Sequence, residues 1–259
     1  MEYLPPLKQP LALRPEYIVS STRVIKVDQH SASWSSGDFT ITDSQTDEKL
    51  FGVTGEFASF TQRRHFRDAS GLPLFELSRE RMGMKWFLHL PGEKSRKAKE
   101  KESPYSSPAA TKPIATFVPK YSALKDKFDM HFRNLALGSD SGADRGEVTL
   151  AIRGQNVWKS RTNVYHCDRL VMTVRLTNMA APYIPLKRPI WEASVAEGMD
   201  LSLASVVAVF LATMLYEGNW LADSNVPGTD DQNAGQALGA SDRPSSPQAS
   251  ANPHAFPKL

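Results

Sequence analysis

The chain has 259 residues, 41% of them hydrophobic and 23% charged, with a formal net charge of +3 at pH 7. That balance suits an ordinary folded core and excludes a charge-swollen disordered chain, while so small a basic excess makes no case for nucleic acid. Cys167 is the only cysteine, which excludes an intrachain disulfide and a cysteine-based zinc site and suits a reducing, intracellular setting.

Residues 1–15 hold Pro5, Pro6, Pro10 and Pro15 and no basic stretch followed by an apolar one. They read as an extended lead lying along the surface, without a secretory signal, so a cytoplasmic location is expected. From Glu16 the pattern turns to short β segments separated by turn residues: Tyr17 to Ser20, Arg23 to Val27, Asp38 to Thr42 and Leu50 to Val53. Alternation places Phe39 and Ile41 inward. Glu56 to Arg67 reads as one long strand, with Ala58, Phe60, Gln62, Arg64 and Phe66 on one face and Ser59, Thr61, Arg63, His65 and Arg67 on the other. Asp68-Ala69-Ser70-Gly71 supplies hairpin turn chemistry, and Pro73 to Arg79 returns. Met84, Trp86, Leu88 and Leu90 then alternate with Lys85, Phe87 and His89.

Residues 92–113 break the pattern. EKSRKAKEKES is dense in charge and SPYSSPAATKP is rich in proline and serine, the composition of a solvated insertion. Strands resume at Ile114 to Val118, Phe128 to Asn134, Val148 to Ile152, Asn156 to Lys159, Thr162 to His166, Arg169 to Thr177 and Pro189 to Ala196. Leu201 to Tyr216 is apolar on every side, broken only by Ser202, Ser205 and Thr213. At about 1.5 Å per residue it spans roughly 24 Å, short of the roughly 30 Å hydrocarbon core of a bilayer. Asp200 stands where an N-cap belongs and Gly218 where a C′ glycine belongs, so a helix over about 199–217, buried on all faces, is expected. Residues 219–259 have few large apolar side chains and read as a disordered tail.

About a dozen short strands and one helix without a polar face point to a closed antiparallel barrel, over residues 16–218, enclosing that helix. The helix residues expected in the core are Leu203, Val207, Phe210, Leu211 and Met214, with Asp200 at its start. The segments GDFTITD (37–43), FTQRRHFRDASGLPLFELSR (60–79), KWFLHLPG (85–92) and EASVAEGMDLSLASVVAVFLA (192–212) resemble the LURP-one-related proteins. These are similar in fold to the tubby carboxy-terminal domain and to phospholipid scramblases. The resemblance implies a tubby-like barrel of about twelve strands around a carboxy-terminal helix, and little biochemistry beyond it.

No nucleophile stands with a base and an orienting group. His166, Cys167 and Asp168 are consecutive, and strand neighbours point to opposite faces, which argues against a working pair. HExxH, CxxC, P-loop and GxGxxG patterns are absent, and the acidic loops 43–48 and 139–144 lack EF-hand spacing, so no cofactor and no metal are expected. The basic residues Arg63, Arg64, Arg67, Lys94, Arg96 and Lys97 are the candidate anionic-lipid site, because tubby-type barrels bind phosphoinositide headgroups. Alternation sets Arg64 apart from Arg63 and Arg67, and Glu93, Glu100 and Glu102 interleave with the 94–101 cations. Three readings stand: a non-enzymatic monomeric binding or scaffold module; a peripheral phosphoinositide-binding protein; and a scramblase-like protein anchored by 201–216. Nucleic acid is not an expected partner.

Overall fold

In stretches such as Arg23–Gln29, Ile25, Val27 and Gln29 are buried while Val24, Lys26 and Asp28 are only partly covered, so each strand offers one face to a common interior. A computed structural model describes residues 3–30, 38–56, 61–81, 83–92, 112–121, 127–137, 146–156, 160–178 and 189–223, with helical side chains to Met214. The first six strands are β1 (Arg23–Gln29), β2 (Phe39–Asp43), β3 (Lys49–Gly55), β4 (Arg64–Asp68), β5 (Pro73–Arg79) and β6 (Trp86–His89). The other six are β7 (Ala115–Pro119), β8 (Lys127–Arg133), β9 (Glu147–Gly154), β10 (Arg161–His166), β11 (Arg169–Leu176) and β12 (Ile190–Val195). Each pairs antiparallel with the next, and β1 pairs with β12 from Arg23↔Val195 to Asp28↔Ile190, closing a barrel with no free edge.

A twelve-strand barrel is wide enough to need a filling. Helix α1 (Leu201–Asp223) supplies it: every residue from Ser202 to Thr213 is buried. Leu203, Val207, Phe210 and Leu211 lie in the core as expected, and Met214 is partly buried where cover ends. Phe210 stacks on Phe117 at 4.3 Å and meets Phe128 and Trp86 edge-on at 4.9 and 5.8 Å. The helix's polar side chains are satisfied internally, Ser205 Oγ donating to Leu201 O at 2.7 Å and Thr213 Oγ1 to Val209 O at 2.8 Å. The helix does not stop at Gly218 but runs to Asp223. A glycine within a helix costs only about 1 kcal/mol, and the residues that follow it, Asn219-Trp220-Leu221-Ala222, carry no breaker.

The lead is extended, yet it is not a surface strand. Leu4, Leu11, Ala12 and Leu13 are buried across the barrel end where α1 begins. Leu7 N donates to Glu197 O, Leu11 N to Gly198 O, and Ala12 N to Asn134 Oδ1, while Asn134 Nδ2 returns a bond to Pro10 O. Gly198, at φ +89°, is needed there, since a Cβ on it would stand 3.1 Å from that of Leu7. Asp200 caps the helix through Ser202 N (2.6 Å) and Ser202 Oγ (2.9 Å), and its Oδ2 also accepts from Leu13 N (3.0 Å) and Arg14 N (2.9 Å). Burial pushes this carboxyl above the ordinary range against those four donors.

Other expectations need correction. Tyr17 to Ser20 is not a strand: Pro15 opens a 3-10 turn over Pro15–Tyr17, and only Ile18 bridges, to Asp200. Of the long strand expected over 56–67, residues 57–60 lie outside the described residues, Gln62 takes φ +48°, and β4 starts only at Arg64. Met84 and Leu90 flank β6 rather than belong to it, and both are exposed. Of the segment 156–159, residues 157–159 lie outside the described residues, as do most of the 92–113 insertion (93–111), the acidic loop 139–144 and the tail from 224.

On the outer face of β8, Asp129 accepts from Arg153 Nη2 at 2.7 Å and pairs with Lys120 Nζ at 3.0 Å. Burial raises its pKa, but these partners outweigh burial and hold the carboxyl below its ordinary range. A carboxyl depressed by folding stabilises above its unfolded pKa of about 4 and loses that contribution as pH falls through the folded value. Wild type should therefore melt above Asp129→Asn by a constant margin over about pH 5, a margin that closes on acidification below about pH 4. Melting curves across that range check this; a margin independent of pH would contradict it.

Candidate functional site

With α1 filling the bore, side chains that meet a partner lie on the outer face and on the two ends. Strands β2, β4, β6, β8, β10 and β12 run toward the end covered by the lead, so the β5–β6 and β7–β8 connections lie at the far end.

The three arginines expected to form a basic patch do not come together. Arg64 faces inward and is buried, its Nη1 donating to Gln62 O at 2.7 Å and its guanidinium 5.7 Å from the Trp86 ring centroid. It is therefore not a surface ligand. Arg63 pairs with Glu56 at 3.3 Å, a carboxylate that His65 Nε2 also meets at 3.0 Å. Only Arg67 stands exposed on the outer face. Lys94, Arg96 and Lys97 lie outside the described residues.

The His166–Cys167 reading changes in its reasoning. Cys167 is not in a strand but in the β10–β11 turn, at φ +46°, with its Sγ 3.7 Å from His166 Nε2. Cys167 is exposed, and His166 Nδ1 meets the Thr149 carbonyl at 3.5 Å and Cys167 Sγ at 3.9 Å. That places a thiol near an imidazole without a carboxylate orienting it. In the 43–48 loop Asp43 turns back on its own chain, accepting from Gln45 N and Thr46 N and pairing with Arg23 at 3.4 Å. Among the described residues no three His, Cys, Asp or Glu side chains gather to hold a metal ion.

What sequence reading did not find is the far end beside β6 and β7. Trp86↔Phe117 and Leu88↔Ala115 fix these strands as neighbours, so the far ends of β6 and β7 lie side by side. Glu80 N donates to Lys85 O across one neck and Lys120 N to Lys127 O across the other, both at 2.8 Å. Beyond those necks lie Met84 and Tyr121, with Arg81, Lys85, Lys120 and Lys127 around them, all exposed.

A family model for LURP-one-related proteins matches residues 23–212. The chain belongs to the LURP-one-related family. Among solved structures, the X-ray structure of a protein from Arabidopsis thaliana is similar at a TM-score of 0.50 and 15% identity, over 79% of this chain and 98% of that one. At that identity the likeness is one of fold. No curated protein matched. The lead of this LURP-one-related protein precedes the matched residues, although Leu7, Leu11 and Ala12 bond it to the barrel end.

Proposed function

We propose that this LURP-one-related protein is a non-enzymatic binding module that works with its outer surface and its ends. The observation that carries the reading is the filled bore: side chains from Ser202 to Thr213 occupy the interior space that ligand-carrying β-barrels leave for a small molecule.

A panel of fatty acids, retinoids, sugars and nucleotides should leave the melting temperature unchanged. A ligand occupying the bore at 100 times its Kd would stabilise by about 2.7 kcal/mol, or roughly 5–10 °C for a domain of this size. A one-to-one ligand producing such a shift would overturn the reading.

The second reading is peripheral binding of anionic lipid, phosphoinositides included; Arg67, exposed on β4, supports it, while the inward turn of Arg64 and the pairing of Arg63 weaken the arginine cluster as its site. Residues 202–213 are enclosed by strands, and no helix among the described residues is long and apolar enough to cross a membrane, so the scramblase-like anchor loses its support.

A further inference from the structure

The barrel end under the lead reads an extended peptide along its backbone. From Leu11 to Arg14 every amide donates: Leu11 N to Gly198 O, Ala12 N to Asn134 Oδ1, and both Leu13 N and Arg14 N to Asp200 Oδ2. Carbonyls are read as well, Pro10 O by Asn134 Nδ2, Leu11 O by Asp200 N and Ala12 O by Leu135 N. Side chains are sorted by size and charge. Leu11 and Leu13 join the hydrophobic core, while Ala12 is fully enclosed, a position that admits only a small group. The Arg14 guanidinium lies 5.7 Å from the centroid of the buried Phe75 ring. Phe75, Asn134, Leu135, Gly198 and Asp200 all fall within the family-matched residues 23–212, and the lead does not.

We propose that this end is a recognition groove for an extended segment of another protein, of the pattern Pro-apolar-small-apolar-Arg, and that the lead fills it in cis until such a segment displaces it. The inference rests on the binding-module reading and names its partner. Main-chain hydrogen bonds to an extended peptide, with pockets for chosen side chains, are how β proteins take up strands in trans. Asp200 eases the exchange. The lead keeps its carboxyl dry, burial disfavours the charged form, and opening returns the group to water. A second copy of this chain is a poor donor. Ile18 is bridged to its own Asp200, and the chain from there back to Arg14 reaches only about 14 Å when extended, so two barrel ends would have to press together.

The probe is a fluorescent peptide with the sequence of residues 3–15, titrated into the full chain and followed by anisotropy. Wild type should bind it weakly, because the tethered lead competes at an effective concentration on the order of millimolar. Leu11→Ala with Leu13→Ala in the full chain weakens only the tethered copy. That variant should bind the peptide about 100-fold more tightly than wild type and regain melting temperature as peptide is added. Arg14→Ala, which keeps the leucines, should bind it about threefold more tightly. A peptide carrying Ala12→Leu should bind at least about tenfold more weakly. One of unrelated sequence that keeps only the pattern, with Pro-Ile-Ser-Val-Arg at its centre, should bind nearly as well as the lead's own. Equal affinity, or none, across the three proteins would overturn the groove, as would indifference to Ala12→Leu. Binding restricted to the lead's own sequence, or a wild-type dimer that the leucine variant cannot form, would overturn the foreign partner. The peptide never enters the bore, so these results and the ligand panel fail independently.

Discussion

Val207→Asp should yield no folded protein. Val207 has no exposed surface, sits midway along the enclosed part of α1, and is surrounded by strands on all sides. An ionised carboxyl there is buried among the apolar side chains of the core, and the penalty is several kcal/mol even after relaxation. Total stability for a domain is about 5–15 kcal/mol, and the new side chain also displaces packing atoms. The expected outcome is insoluble chain, or soluble chain without a cooperative melt. Val207→Ala is the companion: it removes two methyl carbons, costs about 2 kcal/mol with its cavity, and leaves a folded barrel melting several degrees lower. Circular dichroism during heating reads both. An aspartate variant with the wild-type melting temperature would mean that the helix is not enclosed.

The second large effect is expected at Asp200. Its carboxylate gathers donors from the helix start, through Ser202, and from the lead, through Leu13 and Arg14, the latter 186 residues away from Asp200 in sequence. Hydrogen bonds to a charged group contribute about 1.5–3 kcal/mol each, offset by the cost of keeping the carboxyl buried. Asp200→Ala should therefore cost about 4 kcal/mol in urea unfolding, unpinning the lead as well as uncapping α1. Asp200→Asn should fall between, because an amide oxygen still caps Ser202 N while its NH2 group faces the lead's own donors. Deleting residues 1–14 separates the two roles: in that background the alanine substitution should cost only the cap, about 1–2 kcal/mol. An alanine variant as stable as wild type would refute the pin.

Much of the barrel is legible because its strands are bounded by turn residues and alternate; Phe39 and Ile41, or Trp86 and Leu88, announce an inward face by period alone. The helix announces itself by lacking a polar face. What is not legible depends on partners distant in sequence. The lead's leucines fall among prolines without a period, and nothing local says that Asp200 and Asn134 will hold them. Arg64 obeys alternation, yet a charged residue on an inward face reads as surface until Trp86 and the Gln62 carbonyl are seen to receive it. The break at Gln62 depends on a left-handed backbone that glutamine does not advertise. The cations at the far end are hidden for the same reason: Lys85 and Lys120 are distant in sequence, and only the β6–β7 pairing brings their strands together.

The pairing of β1 with β12 sets a timetable for biosynthesis. The first strand to leave the ribosome must wait for the last, and the helix that fills the interior follows later still. Until residues 201–213 are out, the emerged strands have nothing to wrap around, and their inward faces remain wet and adhesive. Topologies of such long sequence separation fold slowly and expose sticky intermediates. Closure of this barrel therefore waits for its final helix, and its exposed strand faces are most prone to aggregate just before that helix arrives.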